Sequence, residues 1–287
     1  MPNCSHFEYT HYLSNSHLDP IADCGGWQIY ISDKNFQDIY LSLAQKILEN
    51  GASVKSTKGW NFEIRDVLIT LEESWNCKVD FRKLNDIDRA EKYERYLEKE
   101  LAWYESGSLR AMDAPAKAWM AFADQNGRVV SNYGYLVRRK KIRYKDRIRN
   151  KSVSITQFEK VIDQLISKPS SRQAIIHYLL PPHIIDGAKD VPCTVSAQVF
   201  VRDGLVSLSI HQRSCDMYTG IVYDIPWHSH LLQQIVERLN SSSNEKLRAG
   251  RISLFVGSLH IYQDRIDFFR KLLGLKPETN SNFLIGA

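Results

Sequence analysis

The segment from residue 195 to residue 212 constrains the fold more than any other part of the chain. Apolar residues stand at every second position from 195 to 201, and most of the residues between them are polar. Asp203-Gly204 follows, and LVSLSI then runs back in the same pattern. Alternation predicts strands with one buried face, and Asp-Gly between two strands is typical of a tight hairpin turn. The chain must therefore build its core on a sheet that contains this hairpin.

Helices and further strands are predicted on both sides of the hairpin. Apolar residues at helical spacing, glycine or proline stops, and short β-branched runs define these segments. The predicted helices are 36–50, which stops at Gly51, then 87–105, 155–167 before Pro169, 226–239 starting at Pro226, and 264–273. The predicted strands are 66–71, 174–180 and 252–262. Strands and helices mixed without regular βαβ alternation predict an α+β sandwich.

One domain is predicted for residues 31–287. No linker rich in glycine, proline and serine divides this part of the chain, and 287 residues are enough for one large core. Residues 1–30 lack clear periodicity and are interpreted as an irregular leader.

Composition excludes several classes of protein. No apolar run reaches the roughly 18 residues of a membrane span, and the first residues lack a signal-peptide pattern. The five cysteines form no CxxC pair, which predicts reduced thiols in the cytoplasm. No phosphate-binding glycine motif and no metal-ligand spacing is present, so neither a nicotinamide cofactor nor a metal is expected. The net charge of +5 suits a small anionic ligand.

The basic run RRKKIRYKDRIRNK at 138–151 has two interpretations. It could bind nucleic acid or a polyanionic tail, or it could form a solvated loop or surface ribbon. Aromatic residues are sparse in it, so the second interpretation is favoured and no nucleic-acid partner is expected.

Three segments together indicate the chemistry: VPCTVSAQVFVRDG (191–204), HQRSCDMYTGIVYDIPWHSHLL (211–232) and GSLHIY (257–262). They resemble the thymidylate synthase superfamily, which includes the pyrimidine nucleotide hydroxymethylases. Residues 46–60, 100–107 and 168–176 resemble further family segments in the right order, so the resemblance covers roughly residues 36–270. It implies a thymidylate synthase-like sandwich, in which helices surround a large mixed β-sheet and two chains dimerise through the sheet.

The resemblance makes Cys193 the nucleophile. A thiolate that adds to C6 of a pyrimidine makes C5 nucleophilic, so C5 can attack the methylene of 5,10-methylenetetrahydrofolate. A reactive thiolate needs cationic surroundings, and Arg213 and Arg172 are the candidates to provide them. The family also implies that Glu100 relays protons around the ring, with Tyr133 beside the same water network.

The resemblance assigns the remaining site residues to the nucleotide and the folate. Those implied for the 5′-phosphate are Lys58, Arg172, Arg213 and Ser214, those for the sugar 3′-hydroxyl are His260 and Tyr262, and those for the folate are Trp119, Asp216 and Gly220. In the family the segment of Arg172 reaches across a dimer interface, which implies a homodimer in which Arg172 acts in the partner's site. Lys58 stands where the family has an arginine, and Gln173 stands where it usually has a second one.

Asp224 is the departure that sets specificity, because thymidylate synthases carry asparagine there. An asparagine amide matches O4 and N3–H of uracil, whereas a carboxyl accepts from the exocyclic amine of cytosine. Asp224 therefore predicts that the enzyme reads cytosine. Thr194 replaces a family histidine near uracil O4, which fits a changed base. Ser258 replaces a family aspartate, and the sequence gives no physical account of that change.

The resulting prediction is a cytidylate 5-hydroxymethyltransferase, in which water captures the exocyclic methylene to give 5-hydroxymethyl-CMP or 5-hydroxymethyl-dCMP. A C-terminal segment that is shorter than in thymidylate synthases, ending FLIGA (283–287), is expected to exclude water less well and so favour capture. Two alternatives stay open: a thymidylate synthase acting on dUMP, and an inactive family member that binds nucleotide or RNA. The sequence does not decide between ribose and deoxyribose.

Overall fold

The computed structural model describes residues 29–146, 150–184, 189–242 and 246–276. The helices are α1 (Phe36–Asn50), α2 (Ile87–Ser106), α3 (Gln157–Ser167), α4 (Ile221–Asn240) and α5 (Ile266–Leu272). The strands are β1 (Ile29–Asp33), β2 (Ala52–Ser56), β3 (Gly59–Leu71), β4 (Lys141–Asp146), β5 (Lys151–Thr156), β6 (Ile175–His177), β7 (Thr194–Arg202), β8 (Leu205–Gln212), β9 (Cys215–Asp216) and β10 (Arg248–Tyr262). Across these ranges, no helix is both long and apolar enough to cross a membrane.

The centre of the fold is an eight-stranded mixed sheet. Its strand order is β1-β3-β10-β8-β7-β6, with β2 paired to β3 and β9 paired to β10. The pairs β1/β3, β8/β10 and β9/β10 are parallel, and the other pairs are antiparallel. This architecture confirms the predicted α+β fold with a large mixed sheet. The basic run contains β4 and ends at the first residue of β5, and these two strands form a separate two-stranded ribbon, in agreement with the surface-ribbon interpretation.

The register of the sheet separates a buried face from an exposed one. One row of directly paired residues crosses six strands and is at most 8 % exposed; its members are Ile31, Ile69, Leu254, Ile210, Ala197 and Ile176. The helices α1 and α4 contact β3, β8 and β10 over this face. The neighbouring row faces the other way, and its members are Tyr30, Leu68, Phe255, His211, Ser196 and His177. Alternate residues of each strand therefore serve two different surfaces.

The predicted hairpin is present as β7 and β8. Asp203 and Gly204 have φ angles of 50° and 74°, the left-handed conformation that a tight two-residue turn requires. At the other end of the hairpin the register shifts by one residue between Thr194 and Ser196. This β-bulge lies next to Cys193 and changes the direction of the side chains at the start of β7.

The prediction that a helix starts at Pro226 is wrong, because α4 begins at Ile221. Proline inside a helix leaves the carbonyl four residues earlier without its usual donor. Here that carbonyl belongs to Val222, and the hydroxyl of Tyr93 donates to it at 3.2 Å. The hydrogen bond from α2 therefore lets α4 continue through Pro226.

Other predicted boundaries need smaller corrections. Ile155 lies in β5, and α3 begins at Gln157 because Thr156 and Glu159 form a capping box. β6 covers only Ile175–His177, whereas β3 and β10 start earlier than predicted. β1 begins at Ile29, inside the predicted leader. The rest of that leader and the FLIGA segment lie outside the described residues, and the single-domain boundary remains a prediction.

We expect Tyr93→Phe to lower the free energy of unfolding by about 1–2 kcal/mol, because it leaves the buried Val222 carbonyl without a donor. Pro226→Ala restores a backbone N–H there, so the same Tyr93 substitution should cost much less in that background. Urea unfolding of the four variants measures this coupling. Tyr40→Phe is the matched control, since the buried Tyr40 hydroxyl has no partner among the described residues. An equal cost of Tyr93→Phe in both backgrounds would contradict the explanation.

Candidate active site

The cysteine predicted to be the nucleophile lies at the bulged end of the hairpin, and Arg213 encloses it. The backbone N–H of Arg213 donates to the Cys193 carbonyl at 2.9 Å, while its side chain donates to the carbonyls of Pro192 at 3.0 Å and Val191 at 2.8 Å. Nη2 of the same guanidinium is 4.0 Å from Cys193 Sγ. The loop before β7 and the residue after β8 thus hold each other in place.

The electrostatic surroundings of Cys193 are mixed. Burial raises the pKa of the thiol, the nearby Asp224 raises it further, and Arg213 and Lys58 lower it. Arg213 is therefore one of the two cations expected near the thiol. The second cation that lowers the thiol pKa is Lys58, and Arg172 has no such effect among those described. With this balance the thiol is protonated at neutral pH, so a bound substrate or a proton acceptor must help to form the thiolate.

Asp224 lies in the first turn of α4 and is half-buried. Its Oδ2 accepts a hydrogen bond from Gln212 Nε2 at 2.8 Å and a contact from Cys215 Sγ at 3.7 Å. Burial raises the pKa of Asp224 to about 6, although both donors oppose the shift. The carboxyl is therefore mostly ionised at pH 7, but it is far easier to protonate than an exposed aspartate.

Glu100 is buried on α2 and belongs to a chain of polar groups that reaches Trp119. The Tyr96 hydroxyl donates to Glu100 Oε1 at 3.1 Å and accepts from Trp119 Nε1 at 2.9 Å. Burial raises the pKa of Glu100 to about 8, and the negative charge of Asp224 adds to the shift. Glu100 is therefore mostly neutral at pH 7, and Trp119, which is half-buried, is connected to it through one side chain.

Tyr133 and Gln212 connect these groups to the start of β7. The Tyr133 hydroxyl accepts from the Thr194 backbone N–H at 3.1 Å, and the ring stacks on Tyr104 with centroids 5.5 Å apart. Gln212, which is fully buried, donates from Nε2 to both Thr194 Oγ1, at 3.2 Å, and Asp224. The residue after the nucleophile is thereby tied to the carboxyl predicted to read the base.

The residues predicted to bind sugar and phosphate lie at one end of the same region. The rings of His260 and Tyr262 are 4.9 Å apart, and burial lowers the pKa of His260. Lys58 is exposed, with Nζ 5.1 Å from the Phe122 ring, and it lies close enough to His260 to lower its pKa. Ser214 follows Arg213 and is half-buried.

A contact with Glu63 explains why serine can replace the family aspartate at position 258. Its hydroxyl donates to Glu63 Oε2 at 2.5 Å, and Glu63 is paired directly with His260 across β3 and β10. A carboxylate therefore stays beside His260, but it comes from the neighbouring strand.

Asp216 and Gly220 begin and end the turn that leads into α4. The Asp216 carboxylate accepts from the backbone N–H groups of Tyr218 at 3.1 Å and Thr219 at 2.9 Å. The Gly220 N–H donates to the Asp216 carbonyl at 2.9 Å, and a Cβ on Gly220 would lie 2.6 Å from that oxygen. The turn therefore requires glycine at 220, and it presents a fixed carboxylate.

Comparison with known proteins decides the family. A model of the thymidylate synthase family matches residues 38–286. The chain belongs to the thymidylate synthase family. It is similar to deoxycytidylate 5-hydroxymethyltransferase of Enterobacteria phages T4 and T2, with 29 % identity over 241 residues that cover 81 % of this chain and 88 % of each relative. It is also similar to thymidylate synthase of Vesicomyosocius okutanii, with 28 % identity over 168 residues that cover 58 % of each chain.

As a member of the thymidylate synthase family, the protein is a one-carbon transferase that acts on a pyrimidine nucleoside monophosphate, and 5,10-methylenetetrahydrofolate is its co-substrate. The described residues fit such a ligand. The half-buried indole of Trp119 is linked to Glu100 through Tyr96, and Gly220, whose carbonyl accepts from the Asp224 N–H at 3.0 Å, ends the turn that fixes the Asp216 carboxylate. Planar ring systems with polar edges bind between such groups.

Arg172 is the one predicted site residue that the chain does not bring to Cys193. It is exposed between α3 and β6, where its carbonyl accepts from Gln198 Nε2 at 2.7 Å. No contact or pKa effect described above links Arg172 to Cys193, whereas Arg213 and Lys58 both act on the thiol.

Sequence reasoning missed several members of the site. Gln212 and Cys215 stand inside the motif segment HQRSCD, and both contact Asp224. Tyr96 lies one helical turn before Glu100, a spacing that could have indicated the contact. Within the described ranges, no group of three or more His, Cys, Asp and Glu side chains could hold a metal ion.

We expect the free energy of unfolding to fall as pH rises from about 4.3, where an unfolded glutamate titrates, to about 8, where Glu100 titrates in the folded protein. Across this range the folded state holds a proton that the unfolded state releases. Glu100→Gln should reduce the slope and stabilise the protein most at pH 8. Urea unfolding between pH 5 and 8 measures both effects.

The control for this prediction is Glu94→Gln on the same helix, because Glu94 is exposed and paired with Arg82. It should leave the slope between pH 5 and 8 as in the wild type. Equal slopes for the wild type and Glu100→Gln would show that burial of Glu100 does not control this pH dependence.

Proposed function

We propose that the protein is a cytidylate 5-hydroxymethyltransferase that converts CMP or dCMP to its 5-hydroxymethyl derivative. The observation that carries the proposal is the half-buried carboxyl of Asp224, with a raised pKa, held beside Cys193 and Glu100. The relatives from phages T4 and T2, which match 81 % of the chain, are named as deoxycytidylate 5-hydroxymethyltransferases.

A proton shared between the Asp224 carboxyl and the base supports recognition of cytosine. Gln212 donates to Oδ2, so a proton on this carboxyl belongs on Oδ1. One carboxyl oxygen then accepts from the exocyclic amine of cytosine, and Oδ1–H donates to N3. N3 of cytosine is basic enough to share such a proton, whereas O4 of uracil is a much weaker base. An ionised carboxylate, in addition, repels O4.

The same proton supports addition of the thiolate. In our proposal Arg213, with Nη2 4.0 Å from Sγ, stabilises the thiolate of Cys193, which forms a bond to C6. Electron density that moves towards N3 is neutralised by the proton shared with Asp224. The bound folate supplies the one-carbon unit that joins C5. Loss of the C5 proton and departure of tetrahydrofolate then leave an exocyclic methylene on C5. Water adds to that methylene carbon and gives up a proton, and the thiolate leaves C6 as the C5–C6 double bond re-forms.

Glu100 suits proton transfer at C5 and at the attacking water. A carboxyl with a pKa of about 8 is neutral at pH 7 yet can exchange its proton within a turnover. In our proposal Glu100 exchanges protons through water held near Tyr133. Trp119 is connected to the same network by hydrogen bonds through the Tyr96 hydroxyl.

The remaining residues bind the ligands in the proposed complex. Lys58, Arg213 and Ser214 contact the 5′-phosphate, and His260 and Tyr262 contact the sugar 3′-hydroxyl. Asp216, Trp119 and Gly220 contact the folate. Lys58 forms one point contact where an arginine would form two parallel hydrogen bonds, so we expect the phosphate site to depend on Arg172.

A homodimer would supply Arg172 and cover the exposed face of the sheet. Tyr30, Leu68 and Phe255 are paired neighbours on that face, and they are 53 %, 40 % and 38 % exposed. Apolar side chains clustered on a sheet face are typical of a protein interface. We propose that a second copy of this chain packs on this face and places its Arg172 in the site.

The test of the function is release of tritium from [5-³H]-labelled CMP, dCMP and dUMP with methylenetetrahydrofolate, while dihydrofolate is followed by absorbance. We expect release from a cytosine nucleotide without dihydrofolate, and the preferred sugar is read from the same assay. Cys193→Ala should abolish release, and Asp224→Asn should shift preference towards dUMP by about 1.4 kcal/mol or more, a tenfold change. Asp203→Asn, at the hairpin turn, is the matched control, because asparagine adopts the same positive φ.

Release from dUMP with formation of dihydrofolate would replace the proposal with a thymidylate synthase. Release from none of the three nucleotides would favour an inactive binding protein. An unchanged base preference in Asp224→Asn would contradict the role given to that carboxyl.

The dimer is tested by mixing two inactive variants, Cys193→Ala and Arg172→Ala. Random exchange of chains at equal concentration gives one intact site in half of the dimers, so about a quarter of the wild-type activity should return. Lys168→Ala, an exposed cation in the same segment, is the control and should stay active alone. No recovered activity after proven chain exchange would mean that Arg172 does not act across the interface.

A further inference from the structure

Arg89 is a buried cation outside the groups discussed so far. It lies in the first turn of α2 and is 7 % exposed. Among the described residues, no aspartate or glutamate forms an ion pair with its guanidinium. A buried charge without an ion-pair partner is costly, so its surroundings must stabilise it in another way.

Aromatic rings and one carbonyl surround the guanidinium. Its central carbon is 4.0 Å from the ring centroid of Tyr218, 5.1 Å from that of Phe81 and 5.9 Å from that of Phe268. Nη2 donates to the Tyr218 carbonyl at 2.7 Å, a short bond for a charged donor. Cation–π contacts and this hydrogen bond replace the missing carboxylate.

Tyr218 connects Arg89 to Asp216. Its carbonyl accepts from Arg89, and its own N–H donates to Asp216 Oδ1 at 3.1 Å. The ring also packs edge-on against Phe268, with centroids 4.9 Å apart. Two hydrogen bonds in series thus run from the buried cation to the carboxylate that begins the turn into α4.

We propose that Arg89 is a positioning residue that holds the turn Asp216–Gly220 in the conformation needed to bind folate. The inference rests on the proposed role of Asp216. An apolar side chain could fill the aromatic cavity without the cost of burying a charge, but it could not hold the Tyr218 carbonyl. Loss of Arg89 should therefore weaken folate binding more than nucleotide binding, since Asp216 and Gly220 lie in the turn itself, whereas Asp224 is also held by Gln212 and His260 lies on β10.

The experiment compares Arg89→Met and Arg89→Lys with the wild type. Binding of tetrahydrofolate and of CMP is measured directly by titration calorimetry, and KM for methylenetetrahydrofolate and nucleotide is measured where turnover occurs. We expect Arg89→Met to weaken folate binding about tenfold, the effect of one lost positioning contact. Arg89→Lys keeps the charge without the planar fork and should recover part of the loss. CMP affinity should stay within about twofold of the wild type.

Arg265→Met is the matched control. Arg265 contacts the same Tyr218 ring, 4.4 Å from its centroid, but its side chain is 44 % exposed and paired with Asp264. It should leave folate binding unchanged. Unchanged folate affinity in Arg89→Met, or an equal loss of folate and CMP affinity in both Arg89 variants, would overturn the proposal. If Arg89→Met does not fold, Arg89→Lys decides between these outcomes.

The two proposals fail in different ways. A wild-type protein that binds tetrahydrofolate but releases tritium from no nucleotide contradicts the proposed function, whereas the calorimetric comparison of the Arg89 variants still tests the positioning role.

Discussion

The bulged pairing of β7 with β8 is the constraint on which the site depends. Its one-residue shift between Thr194 and Ser196 lets the Arg213 N–H reach the Cys193 carbonyl, so a cation and the thiol are fixed at one end of a rigid hairpin. Gln212, on the returning strand, then reaches both Thr194 and Asp224. Backbone geometry on one pair of strands thereby sets the positions of the proposed nucleophile, the cation beside it and the carboxyl proposed to read the base, and the helices add further groups to the site.

Much of the fold was predictable because local chemistry and global packing agree. Alternation predicted the hairpin, and caps and apolar periodicity predicted the existence of α1, α2 and α3. The start of α4 was not predictable, since the local rule for proline is overridden by a hydroxyl 129 residues away in sequence. The prediction that α3 starts at Ile155 is wrong for a different local reason. The spacing of Ile155 suits a helix, but the capping box at Thr156 sets a later start.

Motifs in fixed order predicted Cys193, Arg213 and Asp216 as site residues; the fold brings Cys193 and Arg213 together, and the roles of all three stay predictions. The site was not predictable where a role comes only from contact between distant segments. The hydrogen bond between Tyr96 and Trp119, and the carboxylate that Glu63 presents to Ser258, join elements that no sequence spacing relates. The proposed role of Arg172 could not be predicted from contacts within one chain, because it depends on an assembly of two chains.

Burial of Glu100 and Asp224 has a consequence for how a nucleotide reaches the site. Two ionised carboxylates in the same cleft would repel an incoming phosphate, and they would do so more strongly as water is displaced. Because the pKa of Glu100 is about 8, this carboxyl is mostly neutral at pH 7, whereas Asp224, with a pKa of about 6, is mostly ionised. The raised pKa of Glu100 therefore also lowers the negative potential along the binding path, so that Lys58 and Arg213 can attract the anionic ligand against less repulsion.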